Sequence, residues 1–295
     1  MRLLINYRQD FDREKPVESY ARSVHQSFLD LGHEVTAMGE GHKLTFEAVR
    51  LRNYDLLLDL DNGRNRKGEF DFVLPKHKIN IPTAIWLIDT HGQVDLHTSI
   101  NPWYDHVFFA VWSKRDIFTG HPSAHWCPNA TDINFFRRAT FEPSIDFGFF
   151  GSKGGLDRAD TMKAICVKNQ WTFDVRQING AWKHKFPATG DAMGKCKILF
   201  NHGQKHDGPN LRVMESMACG RPLISDFDER SGMSKLFEEG KHYLSYTPES
   251  LESEMRAAVV HSGAARDMAE RAYVEVTSKH LVKHRVQQML EVFKG

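Results

Sequence analysis

The chain has 295 residues, with 39 Lys and Arg against 38 Asp and Glu and a net charge of +1. Hydrophobic residues make up 41% and charged residues 26%, which excludes a disordered chain and suits a globular protein of two domains. No window approaches the ~18 apolar residues of a membrane span, and near-neutrality demands no polyanionic partner.

The first apolar run of MRLLINYRQDFDREK is too short for a signal peptide. Four scattered cysteines, Cys127, Cys166, Cys196 and Cys219, form no C-x-x-C pair and read as reduced thiols, so a cytoplasmic location is expected. Short apolar runs then alternate with amphipathic stretches, the pattern of βα units around parallel sheets. Residues 2–6 (RLLIN) read as the first strand. Val17, Tyr20, Ala21, Val24, Phe28 and Leu31 recur at helical spacing over 17–31, and Gly32 stops that helix. Strands follow over 33–38, 56–60, 84–88 and 107–111, with a sixth over 124–129. The polar stretch 131–144 (TDINFFRRATFEPS) reads as a linker. Beyond it come strands at 147–150, 172–176, 197–201 and 222–225, and helices at 158–168, 210–218, 250–260, 264–274 and 280–293. The fold class expected is α/β, two Rossmann-like halves facing a central cleft with a C-terminal helix left over.

Open α/β sheets bind ligands at the carboxyl ends of their strands, which draws attention to 197–226, KILFNHGQKHDGPNLRVMESMACGRPLISD. The loop from His202 to Pro209 follows a buried strand and precedes a helix. Pro209 suits a first helical turn, with Asp207 or Gly208 as cap. Free N–H groups and the helix dipole there favour an anion such as a pyrophosphate, and Arg212 offers a forked cationic contact. Leu211, Met214 and Ala218 form the expected buried stripe. Glu215 lies beside it and must find donors: either a neighbouring Arg or Lys, or the two hydroxyls of a ribose. The glycine-rich loop at Gly151, Ser152 and Lys153 also follows a strand. It lets a ligand approach the backbone, with Lys153 or Arg158 to neutralise phosphate; a purely structural turn is the alternative. It matches neither Walker A nor G-x-G-x-x-G.

At these residues the chain resembles the GT-B glycosyltransferases, in the branch related to the spore-maturation protein CgeB. Residues 210–226, NLRVMESMACGRPLISD, are similar to that branch's N-x-R-x-x-E-x-x-A-C-G-x-x-L-I-x-D. Residues 146–152 (DFGFFGS) resemble the opening of its C-terminal domain, and 126–132 (WCPNATD) its W-x-P-x-A-x-D segment. Residues 236–243 (LFEEGKHY) resemble its L-F-x-x-G-x-E-x stretch, with His242 at the glutamate place. The helix–strand unit 18–35 and the terminal helix from His280 through Arg285 to Leu290 are similar to the family's as well.

The resemblance implies an acceptor-binding domain over 1–140, a nucleotide-sugar domain over 141–278, and a helix over 279–295 that crosses back to the first. It implies donor contacts from Gly151, Ser152, Lys153 and Arg158, from His202, Asp207 and Gly208, and from Asn210, Leu211, Arg212 and Glu215. Glu215 takes the place of the ribose-binding glutamate, and Asp207 stands eight residues earlier where many relatives carry another. The donor is a nucleotide-diphosphate sugar, and no cofactor or metal is needed because helix dipoles and basic side chains stabilise the leaving diphosphate. The acceptor is open among glycan, lipid, protein, metabolite and modified nucleic-acid base. An epimerase of the same fold and a non-catalytic binding module are the alternatives.

For chemistry from the first half, the strand over 84–88 runs into Asp89, Thr90 and His91. Asp89 or His91 is the expected contributor, with Asp10 second; capping of a turn is the other role open to them. Residues 59–63 (DLDNG) imitate a calcium loop, but the glycine is one place early and the closing glutamate is missing. His91, His97 and His106 fit no zinc spacing. The basic turn 64–67 is a solvated loop or a contact to a phosphate-bearing acceptor.

Overall fold

β1 (Arg2–Asn6) is central because Leu3, Leu4 and Ile5 are all fully buried, as a strand covered on both faces requires. The computed structural model describes residues 1–9, 11–12, 15–16, 19–61, 68–74, 79–151, 156–177, 186–203, 209–226 and 229–294; for 11–12, 15–16, 156–158, 177, 186 and 187 it describes backbone alone. β2 (Phe11–Asp12) and β3 (Lys15–Pro16) form a small antiparallel ribbon. Helix α1 (Tyr20–Asp30) starts three residues later than expected. Ser19 caps it, accepting from Arg22 N–H at 3.3 Å, and Ala21, Val24 and Phe28 form its buried side.

β4 (Glu34–Met38), β5 (Leu56–Leu60), β6 (Thr83–Leu87), β7 (His106–Phe109) and β8 (Ala124–Trp126) complete a six-stranded parallel sheet in the order β4-β1-β5-β6-β7-β8. The order reverses between β1 and β5. Helix α2 (Val94–Ile100) follows β6; its seven residues carry too little periodicity to be read from sequence.

The second sheet contains β9 (Ile145–Gly151), β10 (Phe173–Gln177), β11 (Cys196–Asn201), β12 (Leu223–Asp226) and β13 (Leu244–Tyr246), all parallel, in the order β10-β9-β11-β12-β13. Its helices are α3 (Leu156–Lys168), α4 (Phe186–Gly194), α5 (Leu211–Ala218), α6 (Leu251–Val260) and α7 (Ser262–Lys279). The last helix, α8 (Val282–Lys294), packs on α1.

The chain divides into two compact units, Met1–Pro128 with Val282–Gly295, and Asn129–Leu281. The terminal helix is thus part of the first unit. Arg285, 6% exposed, anchors it by donating from Nε to Pro128 O at 2.8 Å, and Gln288 donates to Trp126 O at 2.7 Å. The first part of the expected linker 131–144 joins the core of the second unit instead, while most of 137–144 is exposed. Phe136 is buried there, and Ile133 and Phe135 pack beside it, because three apolar side chains in a short polar stretch find more cover in a core than in water.

Candidate functional site

The strand order of the second sheet reverses between β9 and β11, so the crevice at their carboxyl ends is the natural ligand position. Register places Phe149 beside Phe200, which brings Gly151 and Asn201 to that edge. A side chain at Gly151 would meet the Phe149 ring at 2.4 Å, so glycine is what fits the end of β9 with that ring in place. Ser152 and Lys153 lie outside the described residues, as do Asp207, Gly208 and the first-unit Asp10. Arg158 falls in α3, its side chain likewise outside the described residues.

Helix α5 follows β11 in the chain. The expected caps are displaced: Asn210 is the N-cap, its side chain accepting from Val213 N–H at 3.2 Å, and Pro209 stands before it rather than in the first turn. An asparagine oxygen satisfies an orphan N–H of the first turn, which Pro209 cannot do. Asn129 steadies this start by donating to Pro209 O at 3.4 Å. That contact gives the WCPNATD segment a local role that its sequence did not reveal.

The helix is not striped either. Val213 through Ala218 are all buried because α5 is packed between β11, β12 and α7, whereas Leu211 is half-buried. Glu215 is therefore 5% exposed on a covered face and forms an ion pair with Arg212. Burial pushes its carboxyl up to about 7, and the Arg212 guanidinium opposes that rise. The ion-pair alternative thus holds, and the ribose reading is not displaced by it, since a carboxylate accepts several hydrogen bonds.

His202, immediately after β11, is held at this edge by two polar partners. Its Nδ1 lies 3.0 Å from Asp226 Oδ2 and 3.0 Å from the Tyr246 hydroxyl. Asp226 also accepts from Gly203 N–H at 2.6 Å. Asp226 and Tyr246 end β12 and β13; Asp226 closes the motif of residues 210–226, but the sequence pairs neither residue with His202.

In the first unit, Asp89 and His91 follow β6 as expected, Asp89 just before and His91 within a short 3-10 turn over Thr90–Gly92. Asp89 is exposed and His91 half-buried. The turn is pinned from beneath: Asp61 Oδ2 accepts from Ile88 N–H at 3.3 Å and lies 3.2 Å from His97 Nε2, while His97 Nδ1 meets the Thr90 hydroxyl at 3.1 Å. His97 and Thr90 are fully buried. Asp59, the other acid of the calcium-like segment, is fully buried too. It accepts from Asn6 at 2.7 Å, from Val73 N–H at 3.3 Å and from the Tyr104 hydroxyl. Burial raises its carboxyl to about 6. Among the described residues no group of three or more His, Cys, Asp or Glu could hold a metal ion. No helix among them is long and apolar enough to cross a membrane.

Residues 133–291 match the model of a family described as glycosyl transferase-like. No curated protein matches the chain. Among solved structures, an alpha-glucosyltransferase in complex with UDP and a 13-mer DNA containing an HMU base shares 10% identity at a TM-score of 0.67, with 100% of both chains covered. Sucrose-phosphate synthase from Thermosynechococcus elongatus shares 10% identity at 0.63, covering 100% of this chain and 98% of that one. Anabaena HepE in complex with UDP and glucose shares 11% identity at 0.56, covering 100% and 99%. Likeness at such identity is likeness of fold, and it extends over both parallel sheets. A family match over more than half of the 295 residues goes further: the chain belongs to the glycosyl transferase-like family, on the α/β fold of the GT-B glycosyltransferases.

Proposed function

We propose that the protein transfers a sugar from a nucleotide-diphosphate sugar to an acceptor hydroxyl without a metal ion, as a member of the CgeB-related branch. The observation that carries this reading is the buried Glu215–Arg212 pair on α5, a helix with a capped N-terminus that follows β11, one of the two strands flanking the switch point of the second sheet. The helix start offers N–H groups to the diphosphate, and the Glu215 carboxylate accepts from the ribose diol. UDP in several structural neighbours supports a diphosphate nucleotide as the donor. Gly151, Ser152, Lys153, Arg158, His202, Asp207, Gly208, Asn210 and Leu211 complete the proposed donor site.

Asp89 or His91 contributes from the first unit, as general base to the acceptor hydroxyl or as a contact to the transferred sugar, with Asp10 as second candidate. Four buried, unbridged cysteines fit a reducing, cytoplasmic setting.

The test is incubation with a panel of nucleotide sugars in the presence of EDTA. Slow release of nucleotide diphosphate is expected, rising when the right acceptor is added from glycans, lipids, peptides, metabolites or base-modified DNA. A converted but intact nucleotide sugar would identify an epimerase instead. Binding of no nucleotide sugar would reduce the protein to a non-catalytic module.

A further inference from the structure

The His202 ring has one nitrogen accounted for and one not. Nδ1 faces the Asp226 carboxylate and the Tyr246 hydroxyl, both at 3.0 Å. Nε2 is buried and meets no hydrogen-bond partner among the described residues, on a side chain only 8% exposed. A buried polar atom left unsatisfied costs stability, so this nitrogen gains by meeting a partner that a ligand can bring.

The tautomer follows from the partners. An ionised carboxylate only accepts, so the nitrogen beside Asp226 must carry the proton. The Tyr246 hydroxyl can accept or donate and adapts to that choice. With Nδ1 protonated, the neutral ring presents a bare lone pair at Nε2. Such a nitrogen is completed by a hydrogen-bond donor, which a phosphate oxygen is not and a hydroxyl is. His202 stands at the carboxyl end of β11, beside the switch point.

We infer that Asp226 and Tyr246 are positioning residues that lock His202 in its Nδ1–H tautomer, so that Nε2 accepts a hydrogen bond from a hydroxyl of the bound nucleotide sugar. The hydroxyl part rests on the proposed donor site in the second unit; the tautomer part does not. The lock is built from three strand ends. Register sets Asn201 beside Ser225 and Asp226 beside Tyr246, so the residue after β11 meets the last residues of β12 and β13.

The test is nitrogen-15 NMR of the histidine rings in the full chain, with the His202 signal assigned by its loss in His202→Asn. The unliganded protein is expected to show His202 as Nδ1–H. Asp226→Asn puts an amide N–H in reach of Nδ1 and is expected to move the proton to Nε2, while the Asn oxygen keeps the bond from Gly203. Titration with UDP-glucose should shift the Nε2 resonance in the wild type. UDP alone should do the same if the hydroxyl belongs to the ribose, and should not if it belongs to the hexose. UDP-glucose affinity should fall about three- to tenfold in Asp226→Asn and in His202→Ala, with no further fall in the double variant. An Nε2–H ring in the unliganded wild type overturns the inference. So does an Nε2 signal that UDP-glucose leaves unmoved. The Arg212 guanidinium signals then tell whether the donor reading falls with it: if they shift, the donor binds without His202, and if they stay, neither claim survives.

Discussion

Replacing Glu215 by glutamine gives a pH-dependent difference in stability whose sign and size can be worked out beforehand. The Glu215 carboxyl is raised by burial from 4.5 to about 7, against the pull of Arg212. Between these values the folded protein holds a proton that the unfolded chain has released. Stability therefore falls as pH rises through this window. The full effect is ~3 kcal/mol, at about 1.4 kcal/mol per pH unit. Below pH 4.5 both states are protonated and the contribution is constant; above pH 7 both are ionised and the loss is complete. Glutamine keeps the shape and removes the titration. Urea denaturation of wild type and Glu215→Gln at pH 4.5 and pH 8 isolates this one group, because the other titrations cancel in the difference. The wild type should lose about 3 kcal/mol relative to the variant on going from the lower pH to the higher. A difference that stays constant, or that moves in the wild type's favour, would mean that Arg212 keeps the carboxylate ionised throughout and that burial does not govern it.

The same titration reaches ligand binding: if an ionised Glu215 accepts the ribose diol, the affinity for UDP-glucose should rise about tenfold per unit between pH 5 and pH 7 in calorimetry, and this rise should vanish in Glu215→Gln. Glu215→Ala should cost that ligand about 1–3 kcal/mol at pH 8, and unchanged affinity would remove Glu215 from the site. Asn210→Ala should cost about 1 kcal/mol in thermal unfolding through loss of the Val213 cap, with Asn210→Asp restoring most of it. Gly151→Ala drives a methyl group to within 2.4 Å of the Phe149 ring and should destabilise by about 1–3 kcal/mol, read from the urea midpoint. Asp89→Ala and His91→Ala should abolish turnover while leaving donor affinity intact; normal transfer by both would move the first-unit contribution elsewhere.

What could be read from the sequence was set by how locally each feature is encoded. Parallel strands buried on both faces are continuous apolar runs, and LLLDL at β5 or RLLIN at β1 can hardly be anything else. Helix α4, FPATGDAMG, hides behind a proline and two glycines, although Ala192 and Met193 bury it in the core of the second unit. β13 has three residues at a sheet edge and carries too short a pattern. Glu215 was visible because it lies beside the expected apolar stripe of one short helix, with Arg212 one turn before it. The pairing of Asp226 and Tyr246 with His202 was not, since 24 and 44 residues separate them from it. Asp61 and His97 escaped in the same way, meeting only through the sheet.

These cases share one geometry. Asp226 ends β12, Tyr246 ends β13, and His202 and Asp61 each come directly after a strand. In a parallel sheet all carboxyl ends lie along one edge, so residues far apart in sequence become neighbours there whenever their strands are adjacent. The polar residue at the end of each buried run is therefore a candidate before any contact is known, and adjacency in the sheet decides which candidates pair. By that rule the calcium-like acids of β5 are an edge cluster in protein disguise. Asp59 is met by Asn6 at the end of adjacent β1, and Asp61 by Ile88 just past the end of adjacent β6. Both hold strand ends together, and what they hold includes the turn that carries His91 and follows Asp89.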